Sequence, residues 1–380
     1  MPDSCKPSKA SGQTIAMIFG FGGSAVVALV LCSMKYFLNR KHRKTPNRKE
    51  SKDDLQSISY SSSDLQHATS NFHPNNKLGR GEYGEVYKGV LEDGTEVAVK
   101  KLTTKPEQGA RHFMDTVKLI TSIQHQNLIK LTGWCLEGGQ KLLVYEYLEQ
   151  RNLAQILLNQ ETKVDIGWQI RFNIAFGIAR GLAYLHEFRP QIIHGDLKAS
   201  NILLDKSFHP KIGDYALRNL FPDKDNSLFG THVAENLGYV APEYILQGQL
   251  TEKVDTFSFG VLVLEIISGR SNINRNLTRE QTLLLEWAWK LYKETRLADL
   301  VDPNLGKDYS EDEIFRLIHV ALLCTQSSPA TRPSMIQVLA MINGDDDITV
   351  FPSRPGILHK LLESLEEGPS THQIKTNAED

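Results

Sequence analysis

The sequence predicts an α+β protein whose strands come first and helices later, behind one N-terminal transmembrane helix. Three observations carry this reading. Residues 15–34 are almost entirely apolar. Residues 78–100 hold two strand-forming runs joined at Asp93-Gly94, the commonest hairpin turn pair. Residues 254–267 are apolar on nearly all sides, the pattern of a buried helix.

No charged residue lies between Ala10 and Met34, and twenty helical residues at about 1.5 Å each match a bilayer's hydrocarbon thickness of about 30 Å. Lys6 and Lys9 precede the run, while Lys35, Arg40, Lys41, Arg43, Lys44, Arg48 and Lys49 come after it. Positive charge collects on the cytoplasmic side, so the chain after residue 35 is expected in the cytoplasm, and the plasma membrane is the expected location. The alternative, a cleaved signal peptide, fits less well because the run is long and the basic cluster lies after it. The basic residues also suit anionic lipid. The expected organisation is a short extracellular N-terminus at 1–13, a transmembrane helix at 14–34 and a basic, serine-rich linker at 35–70. The main domain is expected at 71–345, with a polar tail at 346–380.

At 380 residues the chain has room for one bilobal enzyme with tails. Its 41% hydrophobic and 23% charged content excludes a disordered or fibrous class. A net charge of −2 gives no general attraction to nucleic acid. Cys5, Cys32, Cys135 and Cys324 lie far apart, without the spacing of a disulfide framework or a zinc site, and the 12 histidines show no metal-ligand pattern.

Gly79, Gly81 and Gly84 form a G-x-G-x-x-G. In a dinucleotide fold a helix opens directly after such a loop; here strands lie on both sides of Asp93-Gly94. The loop is therefore expected to join two antiparallel strands as a flap. Period-two alternation puts Ala98 and Lys100 on one face and Val97 and Val99 on the other, a small apolar group beside a cation, which suits an adenine with phosphates beyond it. A surface hairpin with a solvated lysine is the plainer alternative for this segment alone.

Residues 192–217 read IIHGDLKASNILLDKSFHPKIGDYAL. With VAVK, GYVAPEY and TEKVDTFSFG in order around them, the chain resembles the protein kinases, close to the plant-type receptor-like serine/threonine kinases, from about Asn71 to Asn343. The resemblance implies a bilobal protein-kinase fold, a small β-rich lobe and a large helical one. Its implied cofactors are ATP and Mg²⁺, and its implied partners are a protein substrate and a co-receptor kinase or signalling complex at the membrane. Asp196 would accept the substrate hydroxyl's proton and Lys198 would neutralise the transferring phosphate. Asn201 and Asp214 would supply oxygen ligands to Mg²⁺. Leu78, Gly79, Gly81, Gly84, Val86, Ala98, Lys100, Glu146, Leu148 and Leu203 would line the ATP site, with residues 145–148 linking the lobes. Asp255 would anchor the catalytic loop, and Glu243 with Arg332 would form a buried ion pair. Trp287 and Trp289 are expected to fill core.

Four positions depart from the family pattern. The inward glutamate of the small-lobe helix, expected at about 107–124, is replaced by Thr116, which shares a helical face with Phe113, Val117 and Ile120. Lys100 is therefore expected to lack its tether and to wander. Gly195 replaces the arginine before Asp196, Asp214-Tyr215-Ala216 replaces Asp-Phe-Gly, and Glu235-Asn236 replaces Gly-Thr. These changes leave two functional readings. One is a membrane-anchored serine/threonine kinase, weakened by them. The other is a nucleotide-binding pseudokinase scaffold that partners an active receptor kinase. Ser57, Ser59, Tyr60, Ser227 and Thr231 sit in polar segments open to phosphorylation.

Overall fold

The structure is a computed structural model. The structure describes residues 58–103, 109–159, 161–162, 164–220, 237–278, 280–306, 309–346 and 348–356. The apolar run and its basic flank, Ser57, Ser227, Thr231, Glu235 and Asn236 lie outside the described residues. No helix among the described residues is long and apolar enough to cross a membrane.

Six strands form the small lobe's sheet: β1 (Ile58–Ser59), β2 (Lys77–Gly81), β3 (Gly84–Val90), β4 (Glu96–Leu102), β5 (Leu131–Glu137) and β6 (Gln140–Glu146). Their spatial order is β1-β5-β6-β4-β3-β2. Among the described residues of this sheet, β1 and β5 pair in parallel and the other neighbouring strands pair antiparallel. Helix α1 (Ser62–Ala68) precedes β2, and α2 (Ala110–Thr121) lies between β4 and β5. Gly94 takes φ 85°, and Asp93 accepts a 2.9 Å bond from the Thr95 N–H, which closes the β3–β4 turn.

The sheet has two covered faces, and period-two alternation assigns each strand residue to one of them. Val97 and Val99 pack outward with Leu65, Cys135, Leu142 and Val144, while Ala98 packs toward the main core. Leu65 belongs to α1, so residues 58–68, expected in the linker, are part of the small lobe. Ser61 caps α1 in a reciprocal pair with Asp64, and the Ser62 N–H donates to Glu137 at 2.8 Å. Gly133 makes room for this strap: a Cβ there would lie 2.3 Å from the Tyr60 ring.

The large lobe contains α3 (Trp168–Glu187), the hairpin β7 (Ile202–Leu204) with β8 (Pro210–Ile212), α4 (Pro242–Gln247), α5 (Glu252–Ser268), α6 (Leu284–Lys293), α7 (Glu311–Cys324) and α8 (Met335–Asn343). Helix α5 is buried from Val254 through Ser268 because α3, α6 and α7 all pack on it. Arg332 meets Glu243 with two bonds of 2.6 and 2.9 Å, both side chains buried. Trp287 and Trp289 differ from expectation. They sit half-buried at the core's edge, Trp287 under the Arg270 guanidinium at 4.6 Å and Trp289 stacked on Tyr292 at 5.5 Å. A ring of that size can cover a cation or another ring from the surface. Beyond α8 the chain returns to α7, where the Gly356 N–H donates to the Thr325 carbonyl at 3.1 Å.

Candidate active site

The catalytic loop hangs from α5. Asp255 is fully buried and accepts from the backbone N–H of His194 and of Gly195, each at 2.8 Å, and from His186 Nε2 at 2.9 Å. Burial alone pushes its carboxyl up, but the bond and charge of His186 and the Gly195 N–H outweigh it and hold it below the usual range. His194 in turn orients Asp196 and Gly213. Its Nδ1 accepts from the Asp196 N–H at 3.2 Å and its Nε2 faces the Gly213 carbonyl at 2.9 Å, so the proton sits on Nε2.

Three of the side chains expected in the site meet on this loop. Lys198 Nζ lies 3.0 Å from Asp196 Oδ1, and Asn201 Nδ2 donates to Asp196 Oδ2 at 3.0 Å and to its carbonyl at 2.8 Å. The carboxylate is therefore held on both oxygens and oriented. A 2.8 Å bond from the Gly213 N–H to the Asn201 carbonyl places Asp214 beside this group.

The small-lobe side is arranged differently. Lys100 is 2% exposed, and its Nζ lies 2.5 Å from Asp214 Oδ1. The expectation that Lys100 wanders is thus corrected: with Thr116 buried at the glutamate's place, the lysine takes the nearest carboxylate, which comes from the other lobe. A buried ammonium without a partner is costly, and this pairing removes that cost. The Asp214-Tyr215-Ala216 segment is strained, with φ 60° at Asp214 and 62° at Ala216, in the left-handed region that glycine favours. The Tyr215 hydroxyl, absent from a phenylalanine, donates to the Ile129 carbonyl at 2.7 Å. Its ring is buried, and burial raises its pKa.

Val86, Ala98, Leu148 and Leu203 are half-buried, and Leu78 is exposed. Glu146 Oε1 accepts from Lys211 Nζ at 2.9 Å and from the Lys130 N–H at 2.8 Å. Gly84 pairs with Gly81 across a two-residue turn, and a Cβ at Gly84 would fall 2.0 Å from the Lys101 carbonyl oxygen. Gly81 approaches Asp214: its Cβ position lies 4.0 Å from Oδ2.

Sequence reasoning missed two residues here. Tyr83, in the turn between Gly81 and Gly84, is 4% exposed, and Lys100 Nζ lies 5.6 Å from its ring centre. Arg218 packs over Gly195, where a Cβ would sit 3.3 Å from its guanidinium; it also covers the Tyr244 ring at 5.0 Å and donates to the Tyr244 hydroxyl. The space left by the missing arginine thus holds another arginine from after Ala216. An aromatic in a glycine loop was a readable signal for Tyr83, whereas nothing local marked Arg218.

Residues 72–342 match the family described as protein tyrosine and serine/threonine kinase. The chain belongs to that family. Among its relatives, cold-responsive protein kinase 1 of Arabidopsis thaliana is 45% identical over 315 residues, covering 82% of this chain and 80% of that one. A probable LRR receptor-like serine/threonine-protein kinase of the same plant is 44% identical over 358 residues, 93% of this chain. The chain spans only about a third of that relative's length, 34%. Among solved structures, the pseudokinase domain of BIR2, an immune regulator of the RLK/Pelle family, superposes with a TM-score of 0.63 at 33% identity, covering 74% of this chain and 84% of that one. The plant receptor-like kinase resemblance and the bilobal kinase fold are both borne out.

Proposed function

We propose that the chain is a membrane-anchored, ATP-dependent protein serine/threonine kinase of receptor-like type, acting on protein hydroxyls in signalling at the plasma membrane. The observation that carries this reading is the Asp196–Lys198–Asn201 cluster. On this reading Asp196 takes the hydroxyl proton, Lys198 offsets charge on the transferring group, and Asn201, bonded to the carboxylate, orients it.

The donor set fits Mg²⁺-ATP. Asn201 uses its amide nitrogen on Asp196 and keeps its oxygen, while Asp214 keeps Oδ2, so both are hard oxygen donors. Bound there, Mg²⁺-ATP would supply the γ-phosphoryl group and neutralise its charge. Lys100 is the cation for the phosphates, and Ala98, Val86 and Leu203 are the apolar surfaces for the base. Incubating the purified chain with labelled ATP tests the reading. Label should appear on protein and fall at least a hundredfold in Asp196→Asn.

A second reading, a nucleotide-binding pseudokinase scaffold for a co-receptor kinase, is favoured by the Lys100–Asp214 pair and by the likeness to the BIR2 pseudokinase domain. No label in either protein would select it. The anchor rests on the apolar run and its basic flank, and the Asn276-Leu277-Thr278 sequon reports its orientation. Asn276 is exposed, so a lumenal domain would be glycosylated. A glycosidase-sensitive mass shift would reverse the assignment.

A further inference from the structure

The turn between β2 and β3 consists of Glu82 and Tyr83, because Gly81 pairs directly with Gly84. A side chain at such a tip ordinarily faces solvent. Tyr83 instead belongs to the main core, and its backbone is held there by a 3.0 Å bond from the Thr103 N–H to its carbonyl. Its ring lies beside the Lys100 ammonium. Burial and, after it, the charges of Asp196, Glu82 and Asp214 all raise the phenol's pKa, with Arg218 opposing them. The ring is thus set among the groups that would handle phosphate. Below it Lys100 is paired with Asp214, and a Cβ added at Gly81 would lie 4.0 Å from Asp214 Oδ2.

We propose that Tyr83 sets nucleotide affinity by occupying the phosphate end of the cleft, so that Mg²⁺-ATP binds only when the hairpin tip withdraws and Lys100 and Asp214 separate. The proposal rests on the nucleotide-binding reading above and names the residue that limits it. Two effects add. The aromatic face supplies a favourable site for the ammonium that a phosphate has to displace. The ion pair also cancels the two charges on which the triphosphate and its metal depend. Apparent affinity is then the intrinsic affinity reduced by the fraction of molecules with the tip withdrawn. Adenine, which lies toward Ala98 and Leu203, is spared.

Binding to the full chain in detergent micelles, measured calorimetrically, tests this. Tyr83→Ala should bind Mg²⁺-ATP at least about tenfold more tightly than the wild type, while Tyr83→Phe, which keeps the ring, should match the wild type. A second measurement needs no variant: the wild-type chain should bind Mg²⁺-ATP no more than about tenfold more tightly than adenosine, because its phosphates gain little. A wild type that binds ATP as well as Tyr83→Ala does, or that prefers ATP to adenosine a hundredfold, overturns the plug and leaves nucleotide binding intact. If neither protein binds at millimolar ATP, the nucleotide reading falls and the plug with it.

Discussion

The two sides of the cleft are built by different means. On the large-lobe side, Asp196, Lys198 and Asn201 lie within six residues and hold one another, and the loop is anchored by one buried carboxylate, Asp255. On the small-lobe side, Lys100 depends on a partner far away in sequence. Here the family's glutamate is Thr116, and the lysine has crossed to Asp214, 114 residues on. A site closed by short-range contacts keeps its geometry when surrounding positions change. A site assembled from distant pairs rearranges to the next available partner.

Breaking the large-lobe anchor is expected to have the largest effect. Asp255→Ala leaves two buried N–H groups and a histidine without their acceptor, each costing about 1–3 kcal/mol. Chemical denaturation should show a loss of about 3 kcal/mol or more, with phosphotransfer gone. A smaller loss would mean that the loop is held by something other than Asp255.

The large lobe also carries a pH dependence. Burial pushes Glu265 up to about 7, against the lowering effect of its bonds from Tyr239 and Asn272. Its pKa is higher folded than unfolded, so the folded state binds the extra proton. Its contribution is complete below the unfolded value of about 4.5 and is lost as pH rises to about 7. The stability of the wild type relative to Glu265→Gln should fall by about 2–3 kcal/mol across that window. A constant gap between the two from about pH 4.5 to 7.5 would show that Glu265 does not titrate there.

On the rearranged side, Thr116→Glu puts a carboxylate on the buried face of α2 and should draw Lys100 away from Asp214. Phosphotransfer should rise at least severalfold, equivalent to about 1 kcal/mol. Unchanged turnover in a folded variant would shift attention to Gly195, Ala216 and Asn236. The smallest effect is expected at Ala216, whose left-handed backbone suits glycine. Ala216→Gly should stabilise by about 0.5–1 kcal/mol in thermal unfolding, relieved strain slightly exceeding the entropy glycine adds to the unfolded chain. A destabilised variant would show that the methyl group's packing outweighs the strain.

Residue order by itself determined the parts that repeat locally. Alternation along β4 sorted Ala98 from Val97 and Val99, the Asp93-Gly94 pair marked a turn, and an apolar helix with a single aspartate marked the buried α5. These features arise from strand and helix periods and from the cost of burying an unpaired charge, so a one-dimensional reading reaches them. Tertiary structure decided the rest. Leu65 looks like one apolar residue in a polar linker until the outer sheet face, assembled from strands distant in sequence, offers it a cover. The Glu146 carboxylate takes Lys211, 65 residues on, a partner that residue order does not mark. Arg218 fills the place beside Gly195, and Tyr83 turns inward, because each finds partners that only the folded chain brings together. Ion pairs and aromatic contacts carry no period, so which of several possible partners a charge takes is settled by distance in the folded molecule.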